Sequence, residues 1–352
     1  MQRNNSILIV ILFFIILCVG CSKSYVVKTP VITKDSSLVK GADISWLPQM
    51  EATGYKFLND AGVEQDCFQI LKDHGINAIR LRTWVNPSDD RASGHCSKDE
   101  TVAMAVRARN MGLKVMIDFH YSDSWADPGQ QRKPAAWVGH DFQQLLADVF
   151  NYTTEVMTSL KSAGISPQWV QVGNEITNGM IYPEGSINNW SQLIQLANMG
   201  YEAVKGISPG TKVILHVDQG NNSSRSRWWF DNATANNAKY DIIGLSYYPY
   251  WLDGKPDFSL SIDDLGNNLV DLASRYGKEV MVVEVGGEDS QPQNTYDMLV
   301  AVQNKIKTVP GNKGLGVFYW EPEGARSWSN YNLSAWGDDG RPTKALNAFT
   351  GN

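Results

Sequence analysis

Two short stretches place acidic residues where chemistry could be done. In WVQVGNEITNG, residues 169–179, apolar alternation runs into Gly173-Asn174-Glu175. This reads as a buried strand ending in a sharp turn that presents Asn174 and Glu175 at its C-terminal tip. In EVMVVEVGG, residues 279–287, an apolar run carries Glu284 at its far end. A carboxylate inside so apolar a strand is costly to bury unpaired. It either meets a cation in the core or points into a cleft, and barrel alternation favours the cleft. Two strand-end carboxylates are the minimum equipment for cleaving a glycosidic bond. Glu175 is the expected general acid, with a raised pKa, and Glu284 the expected ionised nucleophile. A retaining reaction would set the two carboxyls about 5.5 Å apart.

Supporting candidates fall at other strand ends. Arg80 and Arg82 share a face at period 2, and one guanidinium near Glu284 would hold it charged. For Arg82 a structural ion pair is an equal reading. Asp118 and His120 also share a face, and His120 could position Glu175 or a sugar. Tyr247 or Tyr248 could hydrogen-bond the nucleophile, Tyr247 being the expected one. His216 and Asp218 end one run, and Asp43 and Trp46 another. Trp320 would floor the sugar bound at the scissile bond, while Trp84, Trp125 and Trp251 lie just past strands. The chain's 12 Trp and 14 Tyr suit stacking on the apolar faces of sugars. There is no HExxH, GxSxG or phosphate-binding Gly-rich loop, so neither a metal nor a cofactor is expected.

Eight strand-like runs position these residues: 41–46, 76–83, 114–121, 169–174, 212–217, 241–248, 279–285 and 314–320. Amphipathic stretches alternate with them at 64–74, 97–111, 140–163, 190–206, 262–276 and 295–307. Residues 224–238 are ambiguous, and a last helix covers 344–349. Alternation implies parallel pairing, and eight strands imply a closed (β/α)8 barrel. Gly75, Gly112, Gly164 and Gly314 look like helix-ending glycines before the chain re-enters the sheet. One catalytic domain over 40–352 is expected. The connections 84–97, 122–139 and 221–240 are long enough to be functional loops.

With 43% hydrophobic residues and a mean hydropathy of −0.29, the chain can build a large core. A net charge of −6 with no basic stripe argues against nucleic acid as a partner. Residues 1–20 have a basic start at Arg3 and an apolar run over 7–17, followed by Cys18-Val19-Gly20-Cys21. This resembles a bacterial lipoprotein signal with lipid attached to Cys21, although Cys18 is atypical there. An ordinary signal peptide or an uncleaved anchor are the other readings. Residues 21–39 read as a flexible tether, and the protein as an exported lipoprotein of the outer membrane and a monomer. Cys67 and Cys96 could pair in an exported chain.

The segments GADISWLPQME, GINAIRLRTWVNP, DFHYSDSWADPGQQRKPAAW, VQVGNEITNG, IIGLSYYPYW, VMVVEVGG and GVFYWEPE, in this order, resemble the arabinogalactan endo-β-1,4-galactanases of glycoside hydrolase family 53. The likeness runs from about Lys40 to the C-terminus. It implies an endo-acting retaining hydrolase of β-1,4-galactan, with galacto-oligosaccharide products. It also implies Glu175 as acid/base and Glu284 as nucleophile. Asp43, Trp84, His120, Asp123, Trp125 and Trp320 fall on motif positions that look like cleft residues. The stretch between Glu284 and the next helix is short, so the calcium site that many bacterial relatives carry there is expected to be missing. Another retaining β-glycanase of the same barrel type, or a glycan-binding lipoprotein without turnover, are the alternatives.

Overall fold

The computed structural model describes residues 38–351. The expected signal, Cys21 and most of the expected tether lie outside the described residues. Four strands come first: β1 (Val39–Asp43), β2 (Ala78–Thr83), β3 (Lys114–Phe119) and β4 (Trp169–Val172). A small hairpin, β5 (Gly179–Met180) and β6 (Gly185–Ser186), follows. The remaining strands are β7 (Lys212–Val217), β8 (Ile242–Tyr247), β9 (Glu279–Val285) and β10 (Gly314–Trp320). All but the hairpin pair in parallel and close into a barrel, β10 returning to β1. The fold class is therefore the expected (β/α)8 barrel. β1 begins at Val39, inside the segment read as tether, and ends at Asp43 because Ser45 turns back to bond its carboxylate.

The helices are α1 (Leu47–Ala52), α2 (Cys67–Asp73), α3 (Lys98–Asn110), α4 (Phe142–Ser162) and α5 (Trp190–Ile207). They continue as α6 (Ser223–Ala235), α7 (Ile262–Arg275), α8 (Pro292–Lys307) and α9 (Arg326–Ser329). Capping boxes start two of them, Ser97 with Glu100 and Asp141 with Gln144, satisfying first-turn N–H groups. Gly75, Gly112 and Gly164 end helices in the left-handed region, as expected. Gly314 does not. It opens β10, where a Cβ would lie 2.1 Å from the Ile306 carbonyl oxygen. Gly311 takes the positive φ instead.

Outward-facing strand residues such as Ile79, Ile117, Val170 and Val282 pack under the helices. The interior has two levels. Val39, Ala78, Met116, Trp169, Ile214, Ile242, Met281, Val283 and Phe318 form a separate apolar plug. Above it, one inward position on from Ala78, Met116, Trp169 and Ile214 and beside Arg80 in β1, the strands present Asp43, Arg80, Asp118, Gln171 and His216, all fully buried. Cys67 and Cys96 are both buried free thiols. Cys67 is the first residue of α2 and is buried there, while the Cys96 thiol donates to the Ser45 carbonyl at 3.7 Å.

Candidate active site

A cleft of about 390 Å³ opens over the C-terminal ends of the strands. Of the expected residues, His120, Trp125, Asn174, Glu175, Asp218, Glu284 and Trp320 line it. Glu175 reaches it through a left-handed backbone (φ 44°, ψ 51°). That conformation costs a non-glycine residue about 1 kcal/mol. Tyr121, Gln219 and Glu321, just past β3, β7 and β10, adopt the same region. Four strands of the barrel are thus followed within three residues by a non-glycine residue of positive φ.

Glu284 reaches the cleft by a different device. Met281 and Val283 already face inward, so strict alternation would turn Glu284 outward. The register between β8 and β9 slips, however: Leu245 pairs with Val282 and Ser246 with Glu284. The extra residue, Val283, makes a bulge that re-aims the carboxylate. Glu284 points into the cleft as expected, but the bulge puts it there, not alternation.

Arg80 is the hub beneath the pair. Its Nη1 bonds Asp43 at 2.7 Å. Its Nη2 lies 2.8 Å from Asp118, 2.8 Å from Glu284 Oε1, 2.9 Å from Asn174 Oδ1 and 3.2 Å from Gln171 Oε1. The Tyr248 hydroxyl donates to Glu284 Oε2 at 3.3 Å. Burial pushes the Glu284 pKa up, against the attraction of Arg80, to about 7. Burial and then the charge of Glu284 push Glu175 well above the usual carboxylate range. A single proton shared by the pair therefore resides on Glu175. Asp118 is held below its usual value, because Arg80 and His120 outweigh the effect of burial.

His120 is fixed by directional bonds. Trp84 Nε1, which can only donate, bonds its Nδ1 at 3.0 Å. Its Nε2 therefore carries the proton and donates to Asp118 at 3.0 Å. An aromatic box lies beside the pair. The Arg82 guanidinium sits 4.6–5.9 Å from the ring centres of Trp46, Trp84, Trp125 and Trp320. Glu321 pairs with Arg82 and accepts from the Trp46 amide. The structural reading of Arg82 thus holds, and its ion pair supports the two rings, Trp125 and Trp320, that face the cleft.

The expectations for five residues are corrected. Asp43 and Trp84 do not line the cleft. Both are fully buried beneath it, Asp43 on Arg80 and Trp84 on His120. Asp123 is a loop staple: its two oxygens accept from the amides of Asn86 and Ala135 at 2.9 and 2.8 Å. Tyr247 faces outward and bonds Ser261 and the Phe258 carbonyl. Tyr248 is the tyrosine that meets Glu284. His216 lies below the surface, between Gln171 and Ser246. Ser246, Asp127 and Tyr331 also line the cleft and were not expected. For Ser246 a signal existed, since it shares an inward parity with Tyr248.

The model of glycosyl hydrolase family 53 matches residues 39–350. An arabinogalactan endo-β-1,4-galactanase of Humicola insolens is 35% identical over 304 residues, covering 80% of this chain and 89% of that protein. Among solved structures, the GH53 catalytic domain of Ignisphaera aggregans superposes with a TM-score of 0.81 at 28% identity, covering 91% of this chain and 98% of that one. A structure from a study of two fungal β-1,4-galactanases gives 0.80 at 30% identity, covering 89% and 99%.

Proposed function

The chain belongs to glycosyl hydrolase family 53, and from that premise we propose that it is an endo-acting, retaining hydrolase of β-1,4-galactan. The observation that carries the mechanism is the unequal pair of glutamates facing one cleft. Glu284, beside Arg80, is the less basic of the two and attacks the anomeric carbon as a carboxylate. Glu175, kept protonated by burial and by Glu284, gives its proton to the departing oxygen. It then takes one from the water that releases the sugar from Glu284. Ser246 supports the close spacing of a retaining pair: its backbone pairs with Glu284 in the ladder and its hydroxyl bonds Glu175 at 2.6 Å.

Asn174, His120, Asp218, Trp125 and Trp320 are the sugar-facing residues of this reading, and Asp43, Arg80, Trp84 and His216 hold them. The substrate follows from the family and from the names of its relatives. Product analysis on purified galactan, alongside xylan and mannan, is the test. Oligosaccharides released from galactan with the β-anomer formed first support it. Release from another polymer alone, or the α-anomer, overturns it. Attachment of lipid at Cys21, with export to the outer membrane, is proposed from the leader's residue pattern. Labelling with palmitate that survives in Cys21→Ala overturns it.

A further inference from the structure

Behind Glu175 runs a chain of three hydrogen bonds, of which the reading above uses only the one from Ser246, and only for spacing. The Glu175 amide N–H donates to His216 Nδ1 at 3.3 Å. His216 Nε2 lies 2.7 Å from Ser246 Oγ, and Ser246 Oγ lies 2.6 Å from Glu175 Oε1. His216 and Ser246 are 0% and 1% exposed, so no bulk water competes.

The direction of each bond follows from the neighbours. Arg80 can only donate, so the Gln171 and Asn174 oxygens that it touches are fixed as acceptors. Gln171 Nε2 then donates to Asp118 and turns its other N–H side toward His216 Nδ1, 3.0 Å away. Asn174 Oδ1 is also near, at 3.1 Å, and the Gly173 carbonyl and Asn174 Oδ1 lie within reach of Gln171 Nε2 as well, but a proton on Nδ1 would face the Glu175 amide N–H, which can only donate. Two N–H groups thus converge on His216 Nδ1, which must be the unprotonated nitrogen. The proton of the neutral ring is on Nε2 and is donated to Ser246. The serine's one proton can then go only to Glu175.

We propose that His216 and Ser246 are positioning residues that form a one-way relay. The relay keeps Glu175 Oε1 an acceptor and confines the transferable proton to Oε2, which has no protein hydrogen bond among the described residues. In the first step Glu284 bonds the anomeric carbon, the glycosidic C–O bond breaks and its oxygen takes the Oε2 proton. The carboxylate left behind keeps the Ser246 bond, now charge-assisted and stronger. In the second step water gives a proton back to Oε2 as it displaces Glu284. The serine proton never leaves. Burial holds His216 well below its usual pKa, so the ring stays neutral throughout.

This rests on the acid/base assignment of Glu175. Its other titratable neighbours are Glu284 from β9, Asp218 past β7, Asp127 from the β3–α4 connection and Tyr248 past β8. None is altered by Ser246→Ala. In that variant the carboxylate of Glu175 loses a hydrogen bond, so the alkaline limb of kcat/KM should move up by about one pH unit. The acid limb should stay, and Ser246→Thr should restore the wild-type profile. An unmoved alkaline limb, or both limbs moving together, overturns the relay. If wild type does not cleave galactan, the functional reading fails instead, and the relay is still tested by nitrogen-15 NMR of the wild-type protein. Neutral His216 protonated on Nε2 supports it; protonation on Nδ1 overturns it.

Discussion

Glu284 should be a liability to the fold, and Glu284→Gln should show it. In the native protein the carboxyl is 5% exposed and its pKa rises from 4.5 to about 7. That net rise already includes the attraction of Arg80. The folded state therefore prefers the protonated form. Stability from this group is fully present below pH 4.5 and is lost as pH rises through 7. At about 1.4 kcal/mol per pH unit, the loss amounts to roughly 3 kcal/mol by pH 8. Glutamine fills the same space without a charge, and Arg80 keeps Asp43 and Asp118 as partners. Thermal unfolding of wild type and Glu284→Gln between pH 4.5 and 8 is the assay. The variant should match wild type near pH 4.5 and unfold roughly 5 °C higher at pH 8. Equal Tm values at pH 8, or a gap that ignores pH, would refute the claim that burial outweighs the guanidinium at this carboxyl.

Removing the nucleophile altogether, in Glu284→Ala, should lower turnover by orders of magnitude and be partly rescued by azide, read by reducing-sugar release. Tyr248→Phe deletes a donor to a charged oxygen and should cost about tenfold or more in kcat, whereas Tyr247→Phe should leave kcat intact; equal effects would undo the parity argument. Trp320→Ala should raise KM on galactan about tenfold by removing the sugar floor, with Michaelis–Menten kinetics as the check. Burial pushes the Cys96 thiol up to about 12 and that of Cys67 well above normal. Iodoacetamide followed by peptide mass spectrometry should find both unmodified in the native protein and both alkylated after denaturation.

The barrel was legible because its signals are dense. Every strand of the barrel overlaps one of the eight strand-like runs, β1 with a shift toward Val39, and the glycines at 75, 112 and 164 mark helix ends by the left-handed backbone they alone adopt cheaply. α6 was ambiguous because SSRSRWWFDNATA is polar on most of its surface and buries only Ser226, Trp229, Phe230 and Ala233. The site was legible where charge is expensive, at Glu284 and Arg80. It was misread where parity is invisible. Nothing in VMVVEV announces the bulge that turns Glu284 inward, and two adjacent tyrosines look alike until the register of β8 is known. Ser246 shares the inward parity of Tyr248 and was overlooked because burying a hydroxyl is far cheaper than burying a charge. Asp123 was misplaced because acceptance from two loop amides leaves no sequence mark distinct from a cleft acidic residue.

The two-level interior divides the molecule's evolutionary freedom. Nine greasy side chains close the lower end of the cylinder and take no notice of what sugar lies on the opposite rim. The ionic storey above them is interlocked through Arg80, so drift there must proceed in concert or stall. Novelty in diet is thus left to the outermost tier, the loop aromatics and acids such as Trp251 and Asp127, where exchanges leave both floors undisturbed.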